Sequence, residues 1–202
     1  MNDAVAKARG NLILMLNNDT EAIHANWMDE MVGYAERPEI GAVGAKLLYF
    51  NNTIQHAGVV VGVNQAASHP FVGEHKDHSG YFWRLATVNN YSAVTGACMM
   101  CRKEAFNRVG GFDERFEVEY NDVDFCLRLL EAGCRNVYLP YVQLYHHESL
   151  SRGSPLVSIK KREKHIEEGK LFLELWIKYC EHDPHYNIHL SKDPYFLYTV
   201  GG

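Results

Sequence analysis

The sequence predicts an α/β fold, a mixed sheet flanked by helices, from two features. The first is Leu12-Ile13-Leu14-Met15-Leu16, an unbroken apolar run that stops abruptly at Asn17-Asn18-Asp19-Thr20. A run of that length between turn formers reads as a strand buried on both faces of a parallel sheet. The second is an alternation of strand-like and helix-like segments along the chain, with no internal repeat and no low-complexity tract.

The elements follow in order. After the Leu12–Leu16 strand, Asn26 to Ala35 carries Trp27, Met31 and Tyr34 at helical spacing and stops before Pro38. Ile40 to Tyr49 and Ile54 to Val63 are rich in β-branched residues and read as strands about the polar Asn51-Asn52 turn. Residues 64–88 scatter Gly, His, Ser and Pro among aromatics and read as loop. Val94 to Cys101 reads as a strand, and Lys103 to Val109 as a short helix ended by Gly110-Gly111. Asn121 to Ala132 is a helix ended by Gly133, with Asn121 as its N-cap. Asn136 to His146 holds one or two strands around Pro140. Ser158 to Cys180 forms a long helix, followed by an irregular tail. This divides the chain into a main domain, 1–157, and a C-terminal helix and tail, 158–202, that pack on it.

Composition narrows the function. With 202 residues and nearly half of them hydrophobic, the chain can bury one sizeable core. A formal net charge of −5 argues against nucleic acid as a partner. No apolar run reaches the roughly 18 residues that span a bilayer. The N-terminus lacks the basic-then-apolar signal-peptide pattern, and an odd number of cysteines, five, with four in apolar or helical contexts, fits reduced thiols. A cytoplasmic location is therefore expected. Cys98 and Cys101 are not a metal pair, because residues three apart on a strand point to opposite faces.

Three motifs carry the chemistry. Asn17-Asn18-Asp19 sits at a strand's carboxyl end, where open α/β sheets bind ligands. A carboxylate there suits Mg2+ or Mn2+ together with phosphate, although the same cluster is also a good turn or helix cap. Gly110-Gly111-Phe112-Asp113-Glu114 is followed by Asn121-Asp122-Val123-Asp124, and later by Tyr145-His146-His147. In this order the motifs resemble the inverting family 2 glycosyltransferases of GT-A fold (Rossmann-related), particularly the rhamnosyltransferase-like members that build bacterial surface polysaccharides. Asn17-Asn18-Asp19 is similar to their Asp-x-Asp metal motif, Gly110 to Glu114 to their Gly-Gly-Phe-Asp-Glu signature, and Asn121 to Asp124 to their Glu-Asp-x-Asp acid motif. Asp183-Pro184-His185-Tyr186-Asn187-Ile188-His189-Leu190-Ser191 resembles the ending of the same group. Residues 2–10 resemble the close of the strand–helix unit that opens the family's fold, with Ala4 in place of a glycine. The resemblance therefore implies an N-terminally truncated domain, short of about 80 to 100 residues at ordinary domain size. It also implies weak donor binding and little activity for the chain as it stands.

The resemblance assigns roles. Asp122 is the expected catalytic base, in a first helical turn whose dipole stabilises a carboxylate. Asp19 and His146, or alternatively His147, are the expected ligands of Mn2+ or Mg2+. Asn17, Gly96, Ala97, Asn121, Asp124 and Arg152 are expected to face substrate, with residues 149–153 as a closing loop or, equally, an exposed linker. The partners implied are a nucleotide-sugar donor and a glycan or lipid-linked acceptor. Lys160, Lys161, Arg162 and Lys164 beside an apolar helix face suit peripheral contact with an anionic membrane, but packing on the parent domain is the more ordinary use. Two other readings remain: a non-catalytic carbohydrate- or protein-binding remnant, and a module whose open strand edge needs a partner chain or a second copy.

Overall fold

The computed structural model describes residues 1–63, 66–147 and 159–200. In chain order the elements are α1 (Asn2–Lys7), β1 (Leu12–Leu16), β2 (Thr20–Ala22), α2 (Trp27–Ala35), β3 (Ile40–Leu48), β4 (Ile54–His56), β5 (Val60–Val61), β6 (Ala67–Ser68), β7 (Asn89–Tyr91), β8 (Cys98–Arg102), α3 (Lys103–Arg108), α4 (Asn121–Glu131), β9 (Arg135–His146) and α5 (Ile159–Glu181). The main sheet runs β1-β8-β3-β9-β2, with β4 added to β3 and β7 to β9. Among the described residues only β3 and β9 pair in parallel; the other ladders of this sheet are antiparallel.

This corrects the expectation for β1. Among the described residues it is an edge strand paired with β8 alone, not a strand enclosed in a parallel sheet. Its apolar run serves two half-covered faces instead. Ile13 and Met15 are buried beneath the helices of one face, Leu12 and Leu14 pack partly on the other, and Leu16 is exposed.

The sheet separates two cores, as its alternating side chains require. Ala42, Met99 and Cys101 join Phe106, Phe125, Leu127 and Phe172 from α3, α4 and α5. Val43, Ala45, Cys98 and Met100 face Met31 and Ala35 of α2 on the other side. Cys98 and Cys101 therefore lie in different cores, and burial pushes both thiols up to about 12. A third cluster collects Tyr91, Tyr138, Tyr186 and Tyr198.

Two local irregularities shape the sheet's upper end. Along β9, Leu139 pairs with Ala45 but Gln143 pairs with Lys46, so residues 140–142 bulge out of register. Pro140, which has no N–H to give a ladder, is accommodated there. The expected Ile54–Val63 strand is broken into β4 and β5 at Gly58, where φ is +98°. A Cβ at Gly58 would stand 2.5 Å from the Tyr91 ring, so only glycine fits both the turn and the contact.

Helix α4 opens and closes by different means. Gly133, at φ +81°, ends it in a Schellman turn, with Cys134 N–H on Leu129 O and Gly133 N–H on Leu130 O. Its N-cap is Tyr120, in a left-handed conformation, and Asn121 is the first helical residue instead of the cap. The approach to that turn is held from α5. The buried Glu168 carboxylate accepts the backbone N–H groups of Glu117, Val118 and Glu119, and the Tyr120 ring stacks on Phe172. Phe172, Trp176 and Cys180 of α5 are buried on the domain, while Ile166 and Ile177 remain exposed.

Candidate active site

Asn17, Asn18 and Asp19 carry the chain from β1 at one edge of the sheet to β2 at the other. Asn17 donates its amide N–H to Ala97 O at 2.9 Å, and Thr20 Oγ1 closes the turn on Asn17 O at 2.8 Å. Thr20 then pairs with His146 in the β2–β9 ladder, and His147 N–H reaches Asp19 O. The backbone thus sets the Asp19 side chain against the last residue of β9. Asp19 Oδ1 lies 3.2 Å from His146 Nε2, and Asn17 Nδ2 lies 3.1 Å from the same nitrogen. His147 faces Glu21 instead, at 3.4 Å, so His146 is the histidine beside Asp19.

The chemistry of this cluster fits a divalent cation. Asn17 Nδ2 is a donor, so it meets a lone pair on His146 Nε2. The other ring nitrogen, Nδ1, lies 2.7 Å from Gln55 Oε1, an acceptor, and so carries the proton. Asp19 Oδ1 is then a buried carboxylate oxygen that finds no donor among the described residues. A carboxylate oxygen and an imidazole lone pair facing each other at contact distance lack a positive charge between them. No third His, Cys, Asp or Glu converges on them among the described residues, so the remaining ligands would come from substrate or water.

The second half of the site hangs on the segment leading into β8. Gly96 N–H donates to Asp122 Oδ2 at 2.8 Å, and Val123 N–H to Asp122 Oδ1 at 2.8 Å. Gly96 and Ala97 therefore link the Asp122 carboxylate on one side to Asn17 on the other. The backbone just before them is fixed by His56, whose Nε2 accepts the N–H groups of Gly58 and Thr95. Its Nδ1 lies 2.8 Å from Nδ1 of His69. Burial drives the His56 pKa well below its usual value, with the neighbouring His69 and His146 adding to the effect.

Asp124 stands apart from this arrangement. It is buried, with Oδ2 bound by Arg128 at 2.6 Å and Oδ1 by Trp176 Nε1 at 3.0 Å. Arg128 also donates to the carbonyls of Val109 and Gly111, tying down the Gly-Gly turn. Asn2 clamps the same turn by accepting Phe112 N–H and donating to Phe112 O. The Gly-Gly-Phe-Asp-Glu segment is thus a braced corner, and the Asp124 carboxylate is engaged in bracing it. Asn121 lies in the first turn of α4 next to Asp122. Arg152 and the expected closing loop, 149–153, lie outside the described residues.

Gln55 escaped the sequence reading. An isolated Gln on a short strand carries no signal, and its partner lies 91 positions away.

Residues 12–179 match the model of glycosyl transferase family group 2. The chain is 43% identical to uncharacterized protein y4gI of Sinorhizobium fredii over 193 residues, 95% of this chain and 21% of that protein. It is 42% identical to the O-antigen biosynthesis protein RfbC of Myxococcus xanthus, over 94% of this chain and 15% of that one. The chain therefore spans about a fifth or less of the length of these relatives. In fold it is similar to GalNAc-T7, solved with UDP, GalNAc and Mn2+, at a TM-score of 0.60 and 14% identity, covering 93% of this chain and 38% of that one. That likeness carries the GT-A architecture alone. The chain belongs to glycosyl transferase family group 2.

Proposed function

We propose that the chain carries the catalytic centre of an inverting glycosyltransferase. It would transfer a sugar from a nucleotide-diphosphate donor to a glycan or lipid-linked acceptor in bacterial surface polysaccharide synthesis. The observation that supports this most is the meeting of Asp19, His146 and Asn17 at a turn joined through Ala97 and Gly96 to Asp122. One cluster suits the departing diphosphate, and the other offers a carboxylate for the attacking hydroxyl.

Asp19 and His146 would hold Mn2+ or Mg2+, which when bound supplies positive charge to the leaving diphosphate. Asn17 orients the imidazole and presents its amide on the same side. Asp122 is the base. Its two backbone hydrogen bonds fix its direction and leave lone pairs free to accept the acceptor proton as the hydroxyl attacks the anomeric carbon. Gly96 and Ala97 join the two clusters through their backbone, and Gly96, which carries no side chain, is proposed to let a sugar ring approach there, while the Ala97 methyl packs into the α2-side core. Asn121 and Arg152 are proposed to face substrate. Asp124 contributes through the corner it braces.

The name of the Myxococcus relative supports a role in O-antigen synthesis, and a cytoplasmic location fits that role. No described helix is long and apolar enough to cross a membrane; a peripheral contact through α5 is part of the proposal. A second reading, a module completed by another chain or by a second copy, is supported by the outer edge of β1, unpaired among the described residues.

The test is release of nucleoside diphosphate from UDP-, GDP- and dTDP-sugars by the full-length protein containing this chain, with and without Mn2+. Metal-dependent release that is lost in Asp19→Ala supports the proposal. Release indifferent to both contradicts it.

A further inference from the structure

We propose that Gln55 is a positioning residue that holds His146 in one tautomer, Nδ1–H, so that the Nε2 lone pair stays turned toward Asp19. The inference rests on the proposed role of Asp19 and His146 as cation ligands and extends it to a residue on a different strand. Gln55 is the middle residue of β4, and β4 is held to β3 by the pairs Leu48–Ile54 and Leu47–His56. His146 is the last residue of β9, which pairs with β3 from the other side through Leu48 and Tyr145. The two side chains therefore meet across the end of β3, and both are buried.

Two independent contacts give the same proton assignment. Gln55 Oε1 at 2.7 Å from Nδ1 accepts a proton from it, and Asn17 Nδ2 at 3.1 Å from Nε2 donates one to it. A free neutral imidazole favours the opposite tautomer, with the proton on Nε2. In that form Nε2–H would donate to Asp19 Oδ1, 3.2 Å away. The lone pair would then sit on Nδ1, facing Gln55. The site thus has two arrangements of the same atoms. In one, Asp19 presents a lone pair and Nε2 another, which a cation would take over from the Asn17 amide; in the other, they close on each other through a hydrogen bond. Gln55 selects the open one because it turns its amide oxygen, which can only accept, to Nδ1. Hydrogen-bond partners behind a ligating histidine raise metal affinity by roughly 10- to 100-fold in this way.

The experiment compares the wild-type chain with Gln55→Leu, Gln55→Glu and His146→Ala. Imidazole 15N shifts of the metal-free protein, recorded at about pH 8, report the tautomer. Water-proton relaxation during titration with Mn2+ alone reports affinity. Expected are an Nδ1–H signature for His146 in the wild type, retained in Gln55→Glu, whose carboxylate accepts the same bond, and lost in Gln55→Leu. Mn2+ affinity should fall about 10- to 100-fold in Gln55→Leu and hold in Gln55→Glu. A Gln55→Leu chain that keeps both the Nδ1–H signature and wild-type affinity, while His146→Ala loses affinity, overturns the role of Gln55 and leaves the cation site standing. Unchanged Mn2+ binding in His146→Ala overturns the cation site and this inference with it. If Gln55→Leu does not fold, Gln55→Glu decides: a shift of the proton to Nε2 there contradicts the proposal.

Discussion

Gly96 donates its backbone N–H to the Asp122 carboxylate at 2.8 Å, from a segment whose next carbonyl, that of Ala97, receives the amide of Asn17. A single dipeptide thus sets the spacing between the proposed base and the proposed cation site. Neither side chain of that dipeptide is needed for the link, which is made entirely by main-chain groups. This is why small residues are sufficient there and why the carboxylate can be rigid without being enclosed.

Replacing Asp122 by Asn keeps an oxygen to accept the Gly96 N–H but removes the proposed base. Transfer by the full-length protein should fall by about 10²- to 10⁴-fold while donor affinity stays within about twofold, because the lost interaction belongs to the transition state. Steady-state kinetics with a separate donor-binding isotherm checks this. Wild-type turnover in Asp122→Asn would remove Asp122 from the base role.

Asp124 should behave as a stability residue. Asp124→Ala leaves Arg128 without its buried partner and strips Trp176 Nε1 of its acceptor, at a cost of about 3–5 kcal/mol. Trp176→Phe removes only the neutral-donor bond and some packing, about 1–3 kcal/mol. Urea denaturation of the two variants should rank them in that order. An Asp124→Ala chain as stable as wild type would show that the brace is dispensable.

Glu168→Gln should loosen the entry to α4 from a distance. Three backbone N–H groups now meet one carboxylate, and hydrogen bonds to a charged group contribute about 1.5–3 kcal/mol. Hydrogen exchange at the amides of Glu117, Val118 and Glu119 should accelerate selectively. Exchange unchanged at those amides would contradict the capping role.

The buried His56 makes the fold acid-sensitive. Its folded pKa lies well below the unfolded value of 6.5, so below that pH the unfolded chain binds a proton that the native chain does not. Stability contributed by the neutral ring is whole above 6.5 and is lost as pH falls from there toward the folded pKa, at about 1.4 kcal/mol per unit for one proton. His185, lowered chiefly by burial, acts in the same direction. Denaturation midpoints between about pH 7.5 and 5.5 should fall less steeply in His56→Gln; equal slopes would contradict the assignment.

Much of this architecture is legible in the sequence, for identifiable reasons. Strand β3, helices α2 and α4 and the long α5 declare themselves by periodicity, and Gly133 marks the end of α4 through the left-handed turn it adopts. The setting of β1 is not legible, because Leu12 to Leu16 looks alike whether two faces are fully or half covered. The short β2 and β7 are held by pairing with β9, which no local pattern announces. Within the candidate site, the structure sets Asp19 3.2 Å from His146, and Asp122 is joined to them through Gly96 and Ala97. Asp122 and Asp124 lie two positions apart on a helix that sends one carboxylate to Gly96 and the other to Trp176. Spacing alone did not assign those destinations, since both residues suit a first helical turn. Gln55 depends on a tertiary contact for its whole role.

Whether Asp19 and His146 form a cation site can be seen by anomalous diffraction from crystals of the protein soaked in Mn2+. Expected is a manganese peak within coordination distance of both Asp19 and His146 Nε2, absent from crystals of the Asp19→Ala variant. A peak that avoids this pair, or one that persists in Asp19→Ala, would contradict it.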